Sequence, residues 1–195
     1  MNPAEFANIA CSEQQFWWYR GMREILFRVL DPVFAGRRFE RVLEAGCGTG
    51  YLSSILARRY GCEMFPVDLG WEGLQYARSM QVERPLQCDI AALPFQDAAF
   101  DALISLDVLV HFAPGHEHRP AAEFARVLRR GGLAVIRVSA FEWLRSRHSV
   151  FVGEQQRFTA GRMRSLLEPH GFRVLRSTYA NTLLLPVALA KFRIW

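Results

Sequence analysis

Three glycines directly follow a short apolar run and could form a ligand-binding turn. Gly46, Gly48 and Gly50 have the spacing G-x-G-x-G after the run RVLEA. Glycine allows positive φ and close approach of a ligand to the backbone, because it has no Cβ. Dinucleotide sites use the longer spacing G-x-G-x-x-G to seat a pyrophosphate at a helix N-terminus. The spacing therefore favours another ligand, and a plain tight turn is the structural alternative.

Two acidic residues end the next two apolar runs. Asp68 lies 18 residues after Gly50, at the end of FPVD, and Asp89 ends LQCD. An acid after the second strand of a nucleotide-binding sheet can accept hydrogen bonds from ribose hydroxyls. A carboxylate after the third strand can accept from the exocyclic amine of adenine. The alternative for both residues is to cap the segment that follows.

These residues need a sheet that brings the ends of several strands to one edge. Apolar runs alternate with segments of helical period, which predicts βαβ units. The predicted strands are 41–46, 62–69, 85–90, 100–108, 133–140 and 172–180, and the predicted helices between them are 51–60, 71–81, 120–130 and 160–171. The expected fold class is α/β: a Rossmann-like, doubly wound, mainly parallel sheet with helices on both faces. Whether a seventh strand exists is left open.

The chain is expected to form a single domain over residues 1–195. Residues 1–35 would form an N-terminal helical cap, because Ser12 to Gln15 has capping-box form and predicts a helix beginning at Glu13. Asp31-Pro32 is expected to end that helix. Residues 41–181 would form the core. The apolar tail 182–195 could add a strand, contact a partner or self-associate.

Composition excludes several classes of protein. The content of 51% hydrophobic and 22% charged residues is that of a soluble globular protein. The net charge is +5, but the arginines are scattered among acids, so nucleic-acid binding is not indicated. The four cysteines lack CxxC spacing and are expected to be buried free thiols. No signal peptide or membrane-spanning run is expected, which predicts a cytoplasmic protein.

Four segments in order resemble the class I S-adenosylmethionine (SAM)-dependent methyltransferase superfamily, of the small-molecule, methyltransferase type 11-like kind. They are VLEAGCGTGYL, PVDL, CDIAALPFQDAAFDALISLDVLVHF and RVLRRGGLAVI. The resemblance runs from about Glu13 to Phe172. It implies SAM as cofactor, S-adenosylhomocysteine (SAH) as product, no metal, and an unidentified small-molecule acceptor methylated on O, N or C.

The resemblance also implies which residues hold the cofactor. Glu44 and the turn backbone would surround the methionine moiety. Asp68 would hold the ribose, and Asp89 with Ile90 would hold the adenine. Leu69 would pack on the adenine ring, and Arg20 would pair with the SAM carboxylate. The full set of expected cofactor residues is Trp18, Arg20, Glu44, Gly46, Cys47, Gly48, Gly50, Asp68, Leu69, Asp89, Ile90, Ser105 and Leu106.

Two histidines are candidate catalytic residues. His111 is the first candidate for a general base, because imidazole titrates near neutrality and this residue lies just past the fourth strand. A packing histidine beside the cofactor is the alternative. His148 is the second candidate, with a role in the substrate loop as its alternative. His116 and His118 flank Glu117, a spacing that could bind a metal ion. No third ligand is evident, so a solvated helix start is expected instead.

Three other functions compete with this hypothesis. The first is a non-catalytic SAM- or SAH-binding partner protein, which would bind the cofactor without turnover. The second is a nicotinamide-dependent dehydrogenase, against which the glycine spacing argues. The third is a nucleic-acid methylase, which the lack of an N/D-P-P-Y/F stretch disfavours.

Overall fold

Five parallel strands form one sheet in the computed structural model, which describes residues 3–186. Their order is β3-β2-β1-β4-β5. The strands are β1 (Arg41–Ala45), β2 (Glu63–Asp68), β3 (Leu86–Gln87), β4 (Phe100–Leu106) and β5 (Leu128–Arg137). The strand order reverses at β1, which pairs with β2 on one side and β4 on the other. Ligands of such sheets bind beyond the carboxyl ends of the strands at this switch point.

Helices cover both faces of the sheet, as predicted. They are α1 (Pro3–Ser12), α2 (Trp17–Gly36), α3 (Tyr51–Tyr60), α4 (Trp71–Ser79), α5 (His118–Val127), α6 (Arg147–Phe151) and α7 (Ala160–Leu167). Successive strand residues point to opposite faces. Val42 packs in a core with α2 and α3, whereas Leu43 packs in a second core with α5 and α7.

The N-terminal helix prediction was wrong in two places. Ser12 ends α1 rather than capping a helix, and α2 begins at Trp17 and continues through Pro32 to Gly36. Packing holds α2 together across the proline. The fully buried Leu30 fills the core, and the Asp31 carboxylate binds the Arg59 guanidinium at 2.9 and 2.7 Å.

Two later predictions also need correction. The helix predicted for 120–130 ends at Val127, because Leu128 already pairs with Phe100 as the first residue of β5. The strand predicted for 172–180 is not formed: within residues 3–186 that segment pairs with no other strand, and it is largely exposed. Most of the tail predicted for 182–195 lies outside the described residues. Strands β1, β2 and β4 lie within the predicted segments, and β3 is shortened to two residues. Strand β5 begins five residues before the predicted 133–140 and ends at Arg137.

Helix α1 packs on α4 through a contact that requires glycine. The buried Phe6 ring lies over Gly70 and Gly73, and a Cβ on Gly73 would be 2.7 Å from the ring and 2.6 Å from the Gly48 carbonyl oxygen. The carbonyl belongs to the G-x-G-x-G turn. The glycine in α4 therefore lets α1, α4 and this turn meet.

Alanine at Gly73 should destabilise the protein, although alanine normally stabilises a helix interior. We expect Gly73→Ala to lower the free energy of unfolding by about 1–3 kcal/mol through overpacking. The matched control is Gly21→Ala in α2, where a Cβ meets nothing within 4 Å. That change should raise the free energy of unfolding by up to about 1 kcal/mol. Urea unfolding of both variants tests this, and equal stabilisation by both would contradict the packing.

Candidate active site

The G-x-G-x-G turn joins β1 to α3 and is anchored on β2. The backbone N–H groups of Gly46 and Cys47 both donate to the Val67 carbonyl, at 2.8 and 2.9 Å. All three glycines have positive φ, so the turn needs residues without a Cβ. A Cβ on Gly48 would meet no atom within 4 Å, which leaves its outer face open to a ligand.

Asp68 ties this turn to the loop after β2. Its Oδ2 accepts from the Gly48 N–H at 2.8 Å and its Oδ1 accepts from the Gly70 N–H at 2.7 Å. Burial raises the pKa of this carboxyl group, and the two backbone hydrogen bonds oppose that rise. Each oxygen keeps a lone pair for a further donor. Asp68 therefore orders the turn and can still accept hydrogen bonds from a ligand.

Glu44 places a second carboxyl group beneath the turn. It is a β1 residue, almost fully buried, and accepts a short hydrogen bond from the Ser53 hydroxyl of α3. Burial raises the pKa of Glu44 to about 8, and the neighbouring carboxylates of Asp68 and Glu13 add to the rise. A cation bound here would favour the ionised form.

Sequence reasoning missed the role of Glu13. This residue lies between α1 and α2, is 7% exposed, and has both carboxylate oxygens 2.7 Å from the Thr49 hydroxyl in the glycine turn. Arg23 holds the same segment by donating to the Glu13 and Gln14 carbonyls. The S-x-x-Q pattern suggested a helix start, and no local signal indicated a contact 36 residues away.

The candidate adenine contacts lie on the β2–β3 side of the turn. Leu69 is 68% exposed, and Trp71 also presents its ring to solvent. The Asp89 carboxylate is exposed and accepts from the Ala91 N–H at 2.8 Å, while Ile90 is buried in the core. The apolar surface of Leu69 is thus available for a flat ring, and Asp89 keeps acceptor capacity.

Ser105 and Leu106 lie at the carboxyl end of β4, beside β1. The Ser105 side chain is buried and its hydroxyl donates to the Ala45 carbonyl at 2.9 Å, so it joins β4 to β1. Leu106 is half-buried against the core on the α2 side. The structure therefore shows Ser105 in a structural hydrogen bond next to the candidate site.

The first turn of α2 carries the aromatic segment. Trp18 and Arg20 are both exposed, and the Trp18 ring meets Trp17 edge to face with centroids 5.8 Å apart. Burial raises the pKa of Tyr19, and Glu5, Glu13 and Asp107 contribute to that rise. This turn of α2 therefore lies near the end of β4, on the same edge as Glu13.

The structure brings His111 to this edge, and His148 lies on α6 in the segment that follows β5. His111 ends a short 3₁₀ turn after β4, and its Nδ1 lies 3.1 Å from the Gly153 carbonyl oxygen. Burial lowers the pKa of His111, and Asp68 is close enough to interact with its charge. His148 is exposed on α6, where its ring faces Phe151.

Residues 139–158 follow β5 at the carboxyl edge of the sheet, where a methyl acceptor is expected to bind, and we call them the acceptor-side segment. Phe141 in this segment has φ +59° and stacks between Trp143 and Tyr179, at centroid distances of 5.5 and 4.9 Å. A phenylalanine at positive φ costs about 1–3 kcal/mol, and such strain concentrates at ligand sites. The rings form an exposed aromatic stack.

Within residues 3–186, no group of three or more histidine, cysteine or acidic side chains could hold a metal ion. His118 instead pairs with His170, with their nitrogens 3.2 Å apart. Cys47 and Cys62 are buried as predicted, but Cys11 is exposed. No helix in this range is long and apolar enough to cross a membrane.

Residues 43–136, from β1 to β5, match the family model of a methyltransferase domain. The chain is 36% identical over 119 residues to the malonyl-[acyl-carrier protein] O-methyltransferase of Enterobacter lignolyticus, covering 59% of this chain and 46% of that one. It is 32% identical over 122 residues to a Mycobacterium tuberculosis protein named "Probable S-adenosylmethionine-dependent methyltransferase", covering 62% and 42%. Residues 43–136 therefore form a domain of the class I SAM-dependent methyltransferase superfamily. The chain spans less than half the length of these two relatives.

Two solved structures share the fold of this chain. A chain of the complex between the Haloferax volcanii Trm112 methyltransferase activator and a methyltransferase superposes with TM-score 0.67 at 24% identity, covering 88% of this chain and 78% of that one. The [4+2]-cyclase SpnF superposes with TM-score 0.62 at 25% identity, covering 76% and 57%. The turn described above lies where the matched family segment begins.

Proposed function

We propose that this chain is one SAM-binding unit that transfers a methyl group from SAM to a small-molecule acceptor. The observation that carries the proposal is the glycine turn closed by Asp68, with Glu44 beneath it, at the switch point of a class I methyltransferase sheet. SAM supplies an activated methyl group on a sulfonium. The protein has to bind it, orient the acceptor and exclude water.

The residues present fit such a cofactor. The open face of Gly48 gives room for close approach, and the free lone pairs of Asp68 suit ribose hydroxyls. Glu13 and Glu44 place buried carboxyl groups near the turn, which suits the cationic ammonium and sulfonium of SAM. Exposed Leu69 offers an apolar surface for adenine. Arg20 is exposed in the first turn of α2 and would pair with the cofactor carboxylate.

The acceptor side favours a small molecule that contains a ring. The exposed stack of Phe141, Trp143 and Tyr179 offers flat apolar surface. The nearby arginines Arg145 and Arg157 are paired with acids of the same segment, which leaves less positive charge for an anionic polymer. The relatives include a malonyl-[acyl-carrier protein] methyltransferase and a tRNA methyltransferase of Xenopus tropicalis. Because these names give different classes of methyl acceptor, the class of acceptor has to be tested by experiment.

His111 would act as the general base for an acceptor that carries a proton on oxygen or nitrogen. Burial keeps the imidazole neutral near pH 7, because it lowers the pKa of His111. A neutral imidazole can accept a proton as the new bond forms. His148 would contact the acceptor from α6.

Calorimetric titration with SAM, SAH and NADH tests the cofactor. Asp68→Ala should weaken SAM binding by about 1–3 kcal/mol, or roughly 5- to 150-fold, because it strands the Gly48 and Gly70 N–H groups and removes the ribose acceptor. The matched control is Asp97→Ala, an exposed aspartate paired with Arg126. That variant should bind SAM like the wild type, and NADH should bind neither protein.

The same samples separate the competing functions. SAM binding with no methyl transfer to any member of a broad panel of small hydroxyl and amine compounds would favour a non-catalytic binding protein. Salt-sensitive binding and methylation of tRNA would favour a nucleic-acid methylase. Folded protein that binds neither SAM nor SAH would contradict the proposed function.

A further inference from the structure

We propose that the acceptor-side segment 139–158 positions the imidazole of His111. In this proposal, the Gly153 carbonyl fixes the tautomer with hydrogen on Nδ1, and Gln155 anchors the backbone that carries the ring. His111 is then a base through Nε2 alone. The use of that base in methyl transfer rests on the proposed function, whereas the tautomer itself does not.

The side-chain contact determines which nitrogen carries hydrogen. The Gly153 carbonyl oxygen lies 3.1 Å from His111 Nδ1, and a carbonyl can only accept a hydrogen bond. The Nδ1 atom must therefore be the donor. In the neutral ring, this leaves the lone pair on Nε2.

The backbone of the His111 turn is held by the same segment. The Gln155 side-chain amide donates to the His111 carbonyl at 2.7 Å, and the Gln155 N–H donates to the Val110 carbonyl at 2.8 Å. The Gln156 side chain donates to the Phe112 carbonyl at 2.8 Å. Three consecutive carbonyls of the turn are thus bound by two adjacent glutamines. The ring and its backbone cannot shift independently of the segment.

The segment is itself built to hold this position. Glu154 is 4% exposed and binds the Arg157 guanidinium at 3.0 Å. Arg157 also donates to the Ser149 hydroxyl at 2.8 Å, and Arg145 donates to the Glu154 carbonyl at 2.6 Å. Two of these contacts hold Glu154, which lies between Gly153 and Gln155. The carbonyl that faces His111 is therefore preorganised.

This arrangement matches a protic acceptor. Among the described residues 3–186, Asp68, Asp107 and Glu154 carry charges that interact with the His111 ring. As the acceptor oxygen or nitrogen bonds to the methyl carbon, the carbon–sulfur bond breaks and its electron pair stays on sulfur. The acceptor proton passes to Nε2, giving an imidazolium that Gly153 stabilises through the Nδ1–H bond. A hydroxyl or amine therefore suits this site.

Nitrogen-15 NMR of the histidine side chains tests the tautomer directly. The chain has five histidines, and His111→Gln assigns the signal that disappears. Near neutral pH, wild-type His111 should have a protonated Nδ1 and an unprotonated Nε2. Gln155→Ala should shift the tautomer ratio of His111 toward the Nε2–H form about fivefold, the effect of losing roughly one hydrogen bond. The control Gln96→Ala, an exposed glutamine outside the segment, should leave the ratio unchanged.

Backbone NMR spectra of the same samples show whether each variant is folded, and SAM titration shows whether it binds the cofactor. Gln155→Met, which keeps side-chain length without the amide donor, is the second variant if Gln155→Ala unfolds. An Nε2–H tautomer in the wild type, or an unchanged ratio in both Gln155 variants, would overturn the positioning role. The predicted tautomer in a protein that fails to bind SAM would instead overturn only the proposed function.

Discussion

Replacing Gly46 with alanine should lower the free energy of unfolding by about 2–5 kcal/mol. The residue has φ +92°, and a Cβ there would lie 2.1 Å from Val108 Cγ2. Positive φ costs a non-glycine residue about 1–2 kcal/mol, and overpacking a close contact costs about 1–3 kcal/mol more. Gly46 anchors the turn on Val67, so the same change should also abolish SAM binding.

Two further variants separate strain from the clash. Gly46→Ala combined with Val108→Ala should recover the part of the loss due to the close contact, but not the part due to positive φ. Gly48→Ala also has positive φ but meets no neighbouring atom, so it should cost only about 1–2 kcal/mol of stability. Its Cβ would instead enter the open face of the turn and weaken SAM binding. Urea unfolding and calorimetry of the variants give both quantities, and a stable, SAM-binding Gly46→Ala protein would contradict the described turn.

Glu44 should make the stability of the free protein fall as pH rises. Its pKa is about 8 in the folded protein and 4.5 without the protein environment. The folded state therefore holds a proton that the unfolded state has lost between these values. This stabilisation is complete below about pH 4.5 and is lost as the pH rises toward 8. The linked change is at most about 5 kcal/mol.

Glu44→Gln should flatten this dependence, because glutamine does not titrate. Urea unfolding at several pH values between 5 and 8.5 measures the change, with Glu83→Gln as an exposed control. Wild type and Glu44→Gln with parallel pH profiles would show that Glu44 is ionised throughout. The control should follow the wild type.

The same carboxyl group predicts that SAM binding releases a proton. A cationic ligand beside Glu44 favours the carboxylate, so at pH 7 the complex should lose up to about one proton per site. Calorimetry in buffers with different ionisation enthalpies measures this number directly. Release that persists unchanged in Glu44→Gln would have to come from Asp68 or Glu13, whose carboxyl pKa values burial also raises.

Local sequence signals predicted the central part of the fold. Helix α3 runs over the predicted residues 51–60 and ends at Gly61, whose φ is +62°. Here the helical period, the preceding glycine turn and the C-terminal glycine all predict the same bounds for the helix. The alternation of strands and helices along the chain also predicted the parallel sheet, because short connections between them allow few other topologies.

Long-range contacts account for what the sequence could not predict. Pro32 lies within α2 because packing on α3 outweighs the local cost, and Glu13 is buried because Thr49 is its partner. The apolar alternation of 172–180 predicts a strand but cannot show whether a neighbouring strand is available. For the candidate site, the motif identified Asp68 and His111, whereas the contacts of Gly153 and Gln155 required the folded chain.

The contact between α1 and the glycine turn has a consequence for synthesis on the ribosome. Phe6 and Glu13 leave the ribosome before the residues that they contact. Gly73 follows Phe6 by 67 residues, and Thr49 follows Glu13 by 36 residues. At about 5–20 residues per second, α1 waits for seconds without its docking surface. During that interval the Phe6 ring is exposed to chaperones and to other nascent chains. Helix α1 therefore reaches its native contacts only after the glycine turn and α4 have been made.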